Sequence, residues 1–212
     1  TVFSSIDING RYAYGNQPKI GIWNLTRFAE SLLPLLDDDI DNAIKIAEDV
    51  LSNYGKVYNE YYYNGMRAKL GLFNKEENDE KLILELLTIM NTYKADYTNT
   101  FLNLTLDNLE EMNIFKSEEF KKWYESWQAR LARQNESMDE VKELMKSNNP
   151  IVIPRNHIVE KGIKAAVNNN DYSVINNFLE VLKNPYDYSN IDEEYSKIPE
   201  ASACPYKTYC GT

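Results

Sequence analysis

Apolar residues recur every three or four positions along this 212-residue sequence, and this periodicity constrains the fold more than any other feature. Between residues 20 and 36, for example, the periodic positions are Ile22, Trp23, Leu25, Phe28, Leu32, Leu33 and Leu36. Similar spacing continues to about residue 183, and no run of alternating strands interrupts it. The sequence therefore predicts an all-α fold, a multi-helix bundle with irregular ends.

Helix breakers predict where the first helices end. Pro34 should end or kink the first helix, since proline cannot donate a helical hydrogen bond. The acidic run that follows is suited to the start of a second helix. We expect this second helix to continue to about Lys69, with an apolar face from Ile40 to Tyr61 and with Gly55 and Gly65 as weak points.

Capping signals predict the later helices. Ser117 is a candidate N-cap, Ser137 and Glu140 form a capping box, and Asn156 could cap a helix in which His157 is an early residue. The expected helices span residues 79–93, a segment from Ala95, a short segment after Leu106, segments from Ser117 and Ser137, and residues 157–168 and 172–183. The predicted regions are an irregular segment 1–19, a helical domain 20–183 and an irregular tail 184–212.

The charge of the chain limits its partners. Its formal net charge is −10, which disfavours nucleic acid and acidic membranes because phosphate binding needs a basic face. No apolar run reaches the roughly 18 residues of a membrane span, and no signal peptide opens the sequence. Two cysteines are too few for a secreted disulfide scaffold, so a reducing cytoplasm is the expected location.

Few residues carry obvious chemistry. His157 is the single histidine, no Gly-x-Ser-x-Gly elbow is present, and a zinc site lacks a recognisable ligand spacing. The acidic runs 37–41 and 76–79 are better explained as helix starts and solvated faces than as cation sites. Trp123 and Trp127 share one helix face and favour core packing over a stacking platform. Among tyrosines 61–63, at least one ring should be exposed.

Both cysteines, Cys204 and Cys210, lie in the last nine residues of the sequence. A disulfide, half of a metal site, a reactive thiol and no role at all are the alternatives. Composition argues against the metal, and a reducing cytoplasm argues against a stable disulfide. A small loop between the two residues is feasible but geometrically constrained. The two thiols are therefore candidate redox residues.

Several short motifs resemble one known family. In order along the chain they are GRYAYGNQPKIGIWNLTRFAESLLPLL from residue 10, then KLGL, ADYT, NPIVIPRNHIVE, NPY and a terminal YCGT. This pattern is similar to the YdiU / selenoprotein O family, and the similarity extends from residue 10 to residue 212. It corresponds to the C-terminal two-fifths of a full-length member.

The resemblance implies a protein-kinase-like fold and a protein adenylyltransferase. Members bind ATP in a flipped orientation, need Mg²⁺, and transfer AMP to Ser, Thr or Tyr hydroxyls of proteins. The nucleotide-binding lobe, catalytic loop and metal-binding segment precede the GRYAYGNQP motif, so no catalytic, nucleotide-binding or metal-binding residue can be assigned in this chain. ATP and Mg²⁺ are implied for the full-length parent alone, and the isolated chain is expected to be inactive.

The resemblance also assigns regions of this chain. Gly10, Arg11, Tyr12, Asn16 and Gln17 would belong to the end of an activation-like segment, and residues 20–25 would open the large buried helix of the C-lobe. Cys210 would occupy the position of the terminal cysteine or selenocysteine, as a candidate regulatory thiol. Some members have a cysteine just before the GRY motif, but residues 1–9 contain none, so Cys204 is the one possible partner within the chain.

Three hypotheses follow for the function. As part of an adenylyltransferase, the chain would have two kinds of partner, the missing N-terminal catalytic lobe and protein substrates, and it would expose apolar surface at residues 1–30 where that lobe docks. As an acidic helical protein-binding module, it would instead have a self-contained surface with a groove elsewhere. A purely structural helical domain is the third alternative. A first residue other than Met and a loop-like beginning indicate processing, cloning or truncation.

Overall fold

The structure of the chain is a computed structural model that describes residues 2–189 and 193–199. Helices and connecting turns account for these residues, which contain no strand, and the predicted all-α fold is confirmed. The chain forms two compact units, an N-terminal unit within Thr1–Tyr62 and a C-terminal unit within Tyr63–Glu200. This division does not test the predicted boundaries after residues 19 and 183, which stay predictions.

The helices follow one another through short connections. A 3-10 helix at Tyr14–Asn16 precedes α1, and another at Leu109–Glu111 follows α5. The α-helices are α1 Gln17–Leu36, α2 Ile40–Ser52, α3 Tyr54–Lys69, α4 Asp79–Thr92, α5 Tyr97–Leu106, α6 Glu118–Leu131, α7 Met138–Asn148, α8 Asn156–Asn169, α9 Ser173–Lys183 and α10 Glu193–Ser196.

The predicted long second helix is wrong, because the structure divides it into α2 and α3. At Asn53 the backbone N–H bonds to the carbonyls of Val50 and Leu51, and the regular bond to the residue four positions earlier is absent. Gly55 and Gly65 both lie inside α3. Pro34 also lies inside a helix, but α1 ends only two residues later, where Asp37 adopts an extended conformation.

The N-terminal unit buries little of its apolar surface. Helix α1 packs against α2, and Gly21 of α1 leaves room for the ring of Tyr54, whose hydroxyl lies 2.6 Å from where a Cβ atom would stand. Ala43 is nevertheless the one fully buried residue among the described residues of this unit. The apolar face predicted for the second helix is therefore largely exposed, including Ile40, Val50 and Tyr61.

The C-terminal unit contains the main core, to which α4 and α6 contribute packed apolar faces. Leu82, Leu86, Ile89 and Met90 are buried as their spacing in α4 predicts. In α6, Trp123 and Trp127 stack with ring centroids 5.6 Å apart, and their indole N–H groups donate to the carbonyls of Leu82 and Leu70. Core packing of both tryptophans is thereby confirmed.

Helices α8 and α9 form a hairpin with its own small apolar cluster. Val152, Ile158 and Phe178 are buried there, and the ring of Tyr195 stacks on Phe178. Gly162 allows the close approach of α9, because a Cβ at this position would lie 3.1 Å from Ile175 Cδ1. The predicted cap of α8 is wrong by one residue, since Arg155 is the N-cap and Asn156 is already helical.

Candidate functional site

The GRYAYGNQP motif forms a turn, the first 3-10 helix and the beginning of α1, and side chains bind its backbone. Gly10 adopts a positive φ of 63°, a conformation that favours glycine. The carboxylate of Asp7 accepts the backbone N–H groups of Arg11 and Tyr12, each at 2.8 Å. The amide of Asn16 donates to the Gly10 carbonyl at 2.8 Å, and that of Gln17 donates to the Tyr12 carbonyl at 2.7 Å.

The five predicted residues of the activation-like segment therefore lie between the turn at Gly10 and the first residue of α1, and hydrogen bonds connect the two ends of this segment. Gly10, Asn16 and Gln17 have structural roles, because their conformation or their amide bonds fix the backbone. The side chains of Arg11 and Tyr12 remain at the surface. Whether this turn acts as an activation segment stays a prediction.

Two arginines of the N-terminal unit face one exposed indole ring. The guanidinium carbon of Arg11 lies 4.9 Å from the centroid of Trp23, and that of Arg27 lies 5.7 Å from it. Arg11 is also 5.7 Å from the ring of Tyr12. Such geometry is favourable because the face of an aromatic ring attracts a cation. We call Arg11, Trp23 and Arg27 the arginine–tryptophan cluster.

The apolar residues of α1 divide between a packed face and an exposed one. Leu25, Phe28, Leu32 and Leu35 follow one another at intervals of three and four residues and therefore lie on one side of the helix. Leu25 is 42% exposed, Phe28 60% and Leu35 81%, while Leu32 is half-buried. We call these four residues the α1 stripe.

The motifs of the C-terminal unit meet at the extended link 149–155. Asn149 begins this link and is fully buried. Its side-chain amide donates to the Lys69 carbonyl at 2.9 Å and to Thr105 Oγ1 at 3.0 Å, and its side-chain oxygen accepts a 3.3 Å bond from Lys69 Nζ. Its backbone N–H donates to Met145, and its carbonyl accepts from the hydroxyl of Tyr188 at 2.7 Å. Every polar group of this buried asparagine is thus hydrogen-bonded.

Burial also changes the ionisation of two partners of Asn149. It raises the pKa of Tyr188 to about 12, so the hydroxyl stays protonated as a donor. It lowers the pKa of Lys69, whose ammonium group also donates to the Asn148 carbonyl at 2.7 Å. These contacts give Lys69 of the KLGL motif a structural role.

Arg155 attaches the other end of the link to α5. Its guanidinium makes a two-pronged contact with the carboxylate of Asp96, at 2.8 and 2.9 Å, and donates to Asn99 Oδ1 at 2.9 Å. Asp96 is the N-cap of α5 and also accepts the Asn99 backbone N–H. Burial alone would raise the pKa of Asp96, but the hydrogen bonds from Arg155 and from the backbone hold it below its usual range.

Sequence reasoning missed a buried ion pair in this unit. Asp79 is fully buried and Arg130 is 2% exposed, and Arg130 Nε donates to Asp79 Oδ1 at 2.7 Å. Arg130 also bonds to Asn74 in the loop before α4. The expected solvated face is therefore wrong for Asp79, although this residue does begin α4. In the sequence, the one indication that Arg130 is buried was its position on the same helix as Trp123 and Trp127, which were expected to face the core.

The remaining candidates are placed as follows. His157 is half-buried in the first turn of α8, and Tyr61 is the exposed ring expected among tyrosines 61–63. Cys204 and Cys210 lie outside the described residues, so their pairing stays a prediction.

Within the described part of the chain, no group of three or more His, Cys, Asp or Glu side chains could hold a metal ion. No helix among those residues is long and apolar enough to cross a membrane.

Comparison with known proteins identifies the family. A family model described as "Protein adenylyltransferase SelO" matches residues 2–183. The protein nucleotidyltransferase YdiU of Clostridium botulinum is 63% identical over 212 residues, and that of Clostridium perfringens is 56% identical over the same length. Each match covers 100% of this chain and 43% of the relative. Because the family model covers most of the sequence, the chain belongs to the family of protein adenylyltransferase SelO.

Proposed function

We propose that this chain is the C-terminal helical portion of a protein adenylyltransferase. In the full-length parent, a Ser, Thr or Tyr hydroxyl oxygen attacks the α-phosphorus of ATP, the bond to pyrophosphate breaks, and the hydroxyl proton is taken up by a base. The products are an AMP ester of the protein and pyrophosphate. The match to the family model and the two YdiU nucleotidyltransferases supports this proposal.

AMP transfer needs anchored phosphates, a divalent metal and a positioned base. We assign none of these tasks to residues of this chain, because the resemblance places the family's catalytic and metal-binding segments before the GRYAYGNQP motif. ATP and Mg²⁺ are instead held by the remainder of the parent. The isolated chain is therefore inactive, and its role is to complete the fold around the catalytic lobe.

The observation that carries the proposal is the exposed α1 stripe. Leaving apolar surface in water is unfavourable, and contiguous exposed apolar side chains are typical of an interaction surface. The stripe has the three-and-four spacing with which one helix packs against another. Exposed apolar surface within residues 1–30 is also what the adenylyltransferase hypothesis predicts.

We assign the partner of this stripe to the remainder of the parent. The chain spans 43% of the length of its curated relatives, so more than half of a relative has no counterpart here. A helix with a matching apolar face in that remainder would cover Phe28 and Leu35. The cytoplasm is the compartment in which we expect the assembled protein to act.

The test compares this chain with the full-length parent in an AMP-transfer assay. Both are incubated with radiolabelled ATP, Mg²⁺ and a protein acceptor, and incorporation into protein is measured. We expect label with the full-length parent and none with the chain alone. Incorporation by the chain alone would contradict its inactivity. A full-length parent without transfer would favour the alternative, an acidic helical protein-binding module.

A further inference from the structure

A second row of exposed apolar side chains follows α2 and α3 and is separate from the α1 stripe. Its members are Ile46, Val50, Val57 and Tyr61, which belong to the N-terminal unit and are 42%, 71%, 41% and 75% exposed. Successive members are four or seven residues apart, and this spacing places side chains on one side of a helix. We call these four residues the α2–α3 stripe.

The break between α2 and α3 keeps the members of the stripe in phase. Asn53 retains a right-handed helical backbone, with φ −80° and ψ −14°, and its carbonyl accepts the backbone N–H of Val57 at 3.1 Å. Val50 and Val57 are seven residues apart, which is two helical turns to within about 20°. The stripe therefore continues across the break, and Asn53 lies at its centre.

Charged residues of alternating sign line one edge of the stripe. In chain order they are Lys45, Asp49, Lys56 and Glu60, and all four are exposed. Each directly precedes a member of the stripe and therefore lies about 100° from it around the helix axis. None of the four makes an ion pair with a residue that the structure describes. This edge is therefore free to meet charges of another chain.

The order of these charges is complementary to itself when two copies run antiparallel. About a two-fold axis near Asn53, Asp49 of each copy faces Lys56 of the other, and Lys45 faces Glu60. The apolar members of the stripe pair in the same way, the first with the last and the second with the third. A parallel copy in register would instead place each charge opposite an identical one, which is unfavourable.

We propose that two copies of this chain associate through the α2–α3 stripe as an antiparallel, two-fold symmetric helix pair. Covering the apolar side chains is favourable, and the charged edge determines the orientation. Asn53 meets its own copy at the axis, where an amide that both donates and accepts hydrogen bonds fixes the register. Because the α1 stripe takes no part, this proposal does not depend on the proposed function.

The expected dimer is weak. From Ile46 to Tyr61 the stripe is about 22 Å long, at a rise of 1.5 Å per residue. A single helix pair of this length covers less than the roughly 800 Å² per partner that specific, stable complexes bury. Repulsion between two chains of net charge −10 weakens the dimer further. We expect a dissociation constant on the order of 100 μM.

Sedimentation velocity of this chain tests the association directly. Concentrations from about ten-fold below to ten-fold above the expected dissociation constant should raise the mean sedimentation coefficient from that of a monomer towards that of a dimer. Val50→Ser removes an apolar contact twice in each dimer and should weaken association about ten-fold. A monomer throughout this range, or an unchanged dimer with Val50→Ser, would overturn the proposal.

Charge reversals test the antiparallel arrangement. Asp49→Lys places positive charges opposite one another, and Lys56→Asp does the same with negative charges, so each variant alone should associate about ten-fold more weakly. An equimolar mixture of the two variants again has opposite charges face to face and should recover the affinity of the wild type. The matched control is Glu48→Lys, because Glu48 is exposed and lies about 160° from Val50 around α2.

The α1 stripe requires a control of its own, since it also exposes apolar side chains. Phe28→Ser combined with Leu35→Ser should leave the dimer intact, and circular dichroism should show the helix content of the wild type in every variant. Loss of the dimer in this double variant would assign the association to α1 and overturn the proposal. A mixture that does not recover affinity, or equal weakening by Glu48→Lys, would also contradict it.

Discussion

Asp79 and Arg130 form an ion pair that is shielded from water inside the C-terminal unit. Removing one partner of such a pair costs much more than the pair contributes, because it leaves the other charge buried and unpaired. Exposed pairs such as Lys121 with Glu118 contribute little, since water screens them. Burial therefore decides which charges of this chain matter for its stability.

Asp79→Asn should lower the free energy of unfolding by about 3 kcal/mol, because the buried guanidinium of Arg130 loses its one fully buried counter-charge and keeps only the partly exposed carboxylate of Glu76, 3.1 Å away. Urea denaturation followed by circular dichroism measures this difference. The matched control is Glu118→Gln, which removes an exposed carboxylate and should have no measurable effect. Equal losses in the two variants would contradict the assigned role of the buried pair.

The contact between Arg155 and Asp96 should depend on pH. Because the pKa of Asp96 is lowered in the folded protein, its contribution is present above the ordinary carboxyl value of about 3.9 and is lost as the pH falls through the folded value. Arg155→Gln should therefore destabilise the protein strongly at neutral pH and less in acid.

Urea denaturation of the Arg155→Gln variant and wild type, at neutral pH and near pH 3, about one unit below that carboxyl value, gives the two differences to compare. Lys45→Gln serves as control, since this exposed lysine makes no ion pair with a described residue. An equally large effect of Arg155→Gln at both pH values would contradict the proposed electrostatic origin.

At the scale of helices and turns, the sequence predicts best where the signal is local. Ser117 and the capping box of Ser137 and Glu140 are confirmed, because each cap is made by residues three positions apart. The break at Asn53 was predicted only approximately: Gly55, named as a weak point, lies two residues beyond it but is itself inside α3. Burial of Asp79 was hidden as well, because its partner is 51 residues away.

Glycine in the KLGL motif provides a prediction at this scale. Gly71 has a φ of 72°, and a Cβ there would lie 2.5 Å from Val141 Cγ1. Gly71→Ala should lower the free energy of unfolding by about 2 kcal/mol through backbone strain and overlap. Gly65→Ala is the matched control, since Gly65 lies in α3 with open space around it and alanine favours helices.

Thermal denaturation of the two glycine variants distinguishes these effects. The melting temperature should fall with Gly71→Ala and should rise or stay constant with Gly65→Ala. A fall of similar size in both variants would show that any added methyl group is harmful, and it would contradict the specific role of the close approach at Gly71.

At the scale of the whole molecule, the exposed α1 stripe bears on our proposal that this chain is part of a longer protein. Periodicity predicted the positions of these apolar residues, but it does not reveal whether a partner covers them. The expectation of exposed apolar surface at residues 1–30 came from the resemblance, and the arginine–tryptophan cluster came from the structure alone. Arg11 lies 12 positions before Trp23, and Arg27 lies 4 positions after it. Only the fold of the chain between them brings Arg11 to Trp23.

The double substitution Phe28→Ser with Leu35→Ser tests the docking surface. Both side chains are exposed here, so the melting temperature of this chain should hardly change. In the full-length parent the same change should lower it clearly, because burying each side chain contributes about 2 kcal/mol.

Val167→Ser is the control for that experiment, since Val167 is an exposed apolar residue of α8 outside the stripe. It should leave the melting temperature of both proteins unchanged. No difference between the two proteins for the double substitution would remove the stripe as the docking surface.

The link 149–155 has a consequence for the order of folding. It has no helix of its own, and its conformation is fixed by contacts to Lys69, Asp96 and Tyr188, which are 80, 59 and 39 residues from their partners in the link. Contacts between distant residues form at the expense of loop-closure entropy, and they need helices that already exist. We therefore predict that the contacts of the link form late in folding, after the transition state.

Asn149→Ala should then accelerate unfolding while leaving the folding rate nearly unchanged, as expected for contacts that are absent from the transition state. Stopped-flow measurements over a range of urea concentrations give both rates. A slower folding rate would instead place the link in the folding nucleus. If unfolding alone is accelerated, the family motifs of this region set the unfolding rate of the native state and have little influence on its folding rate.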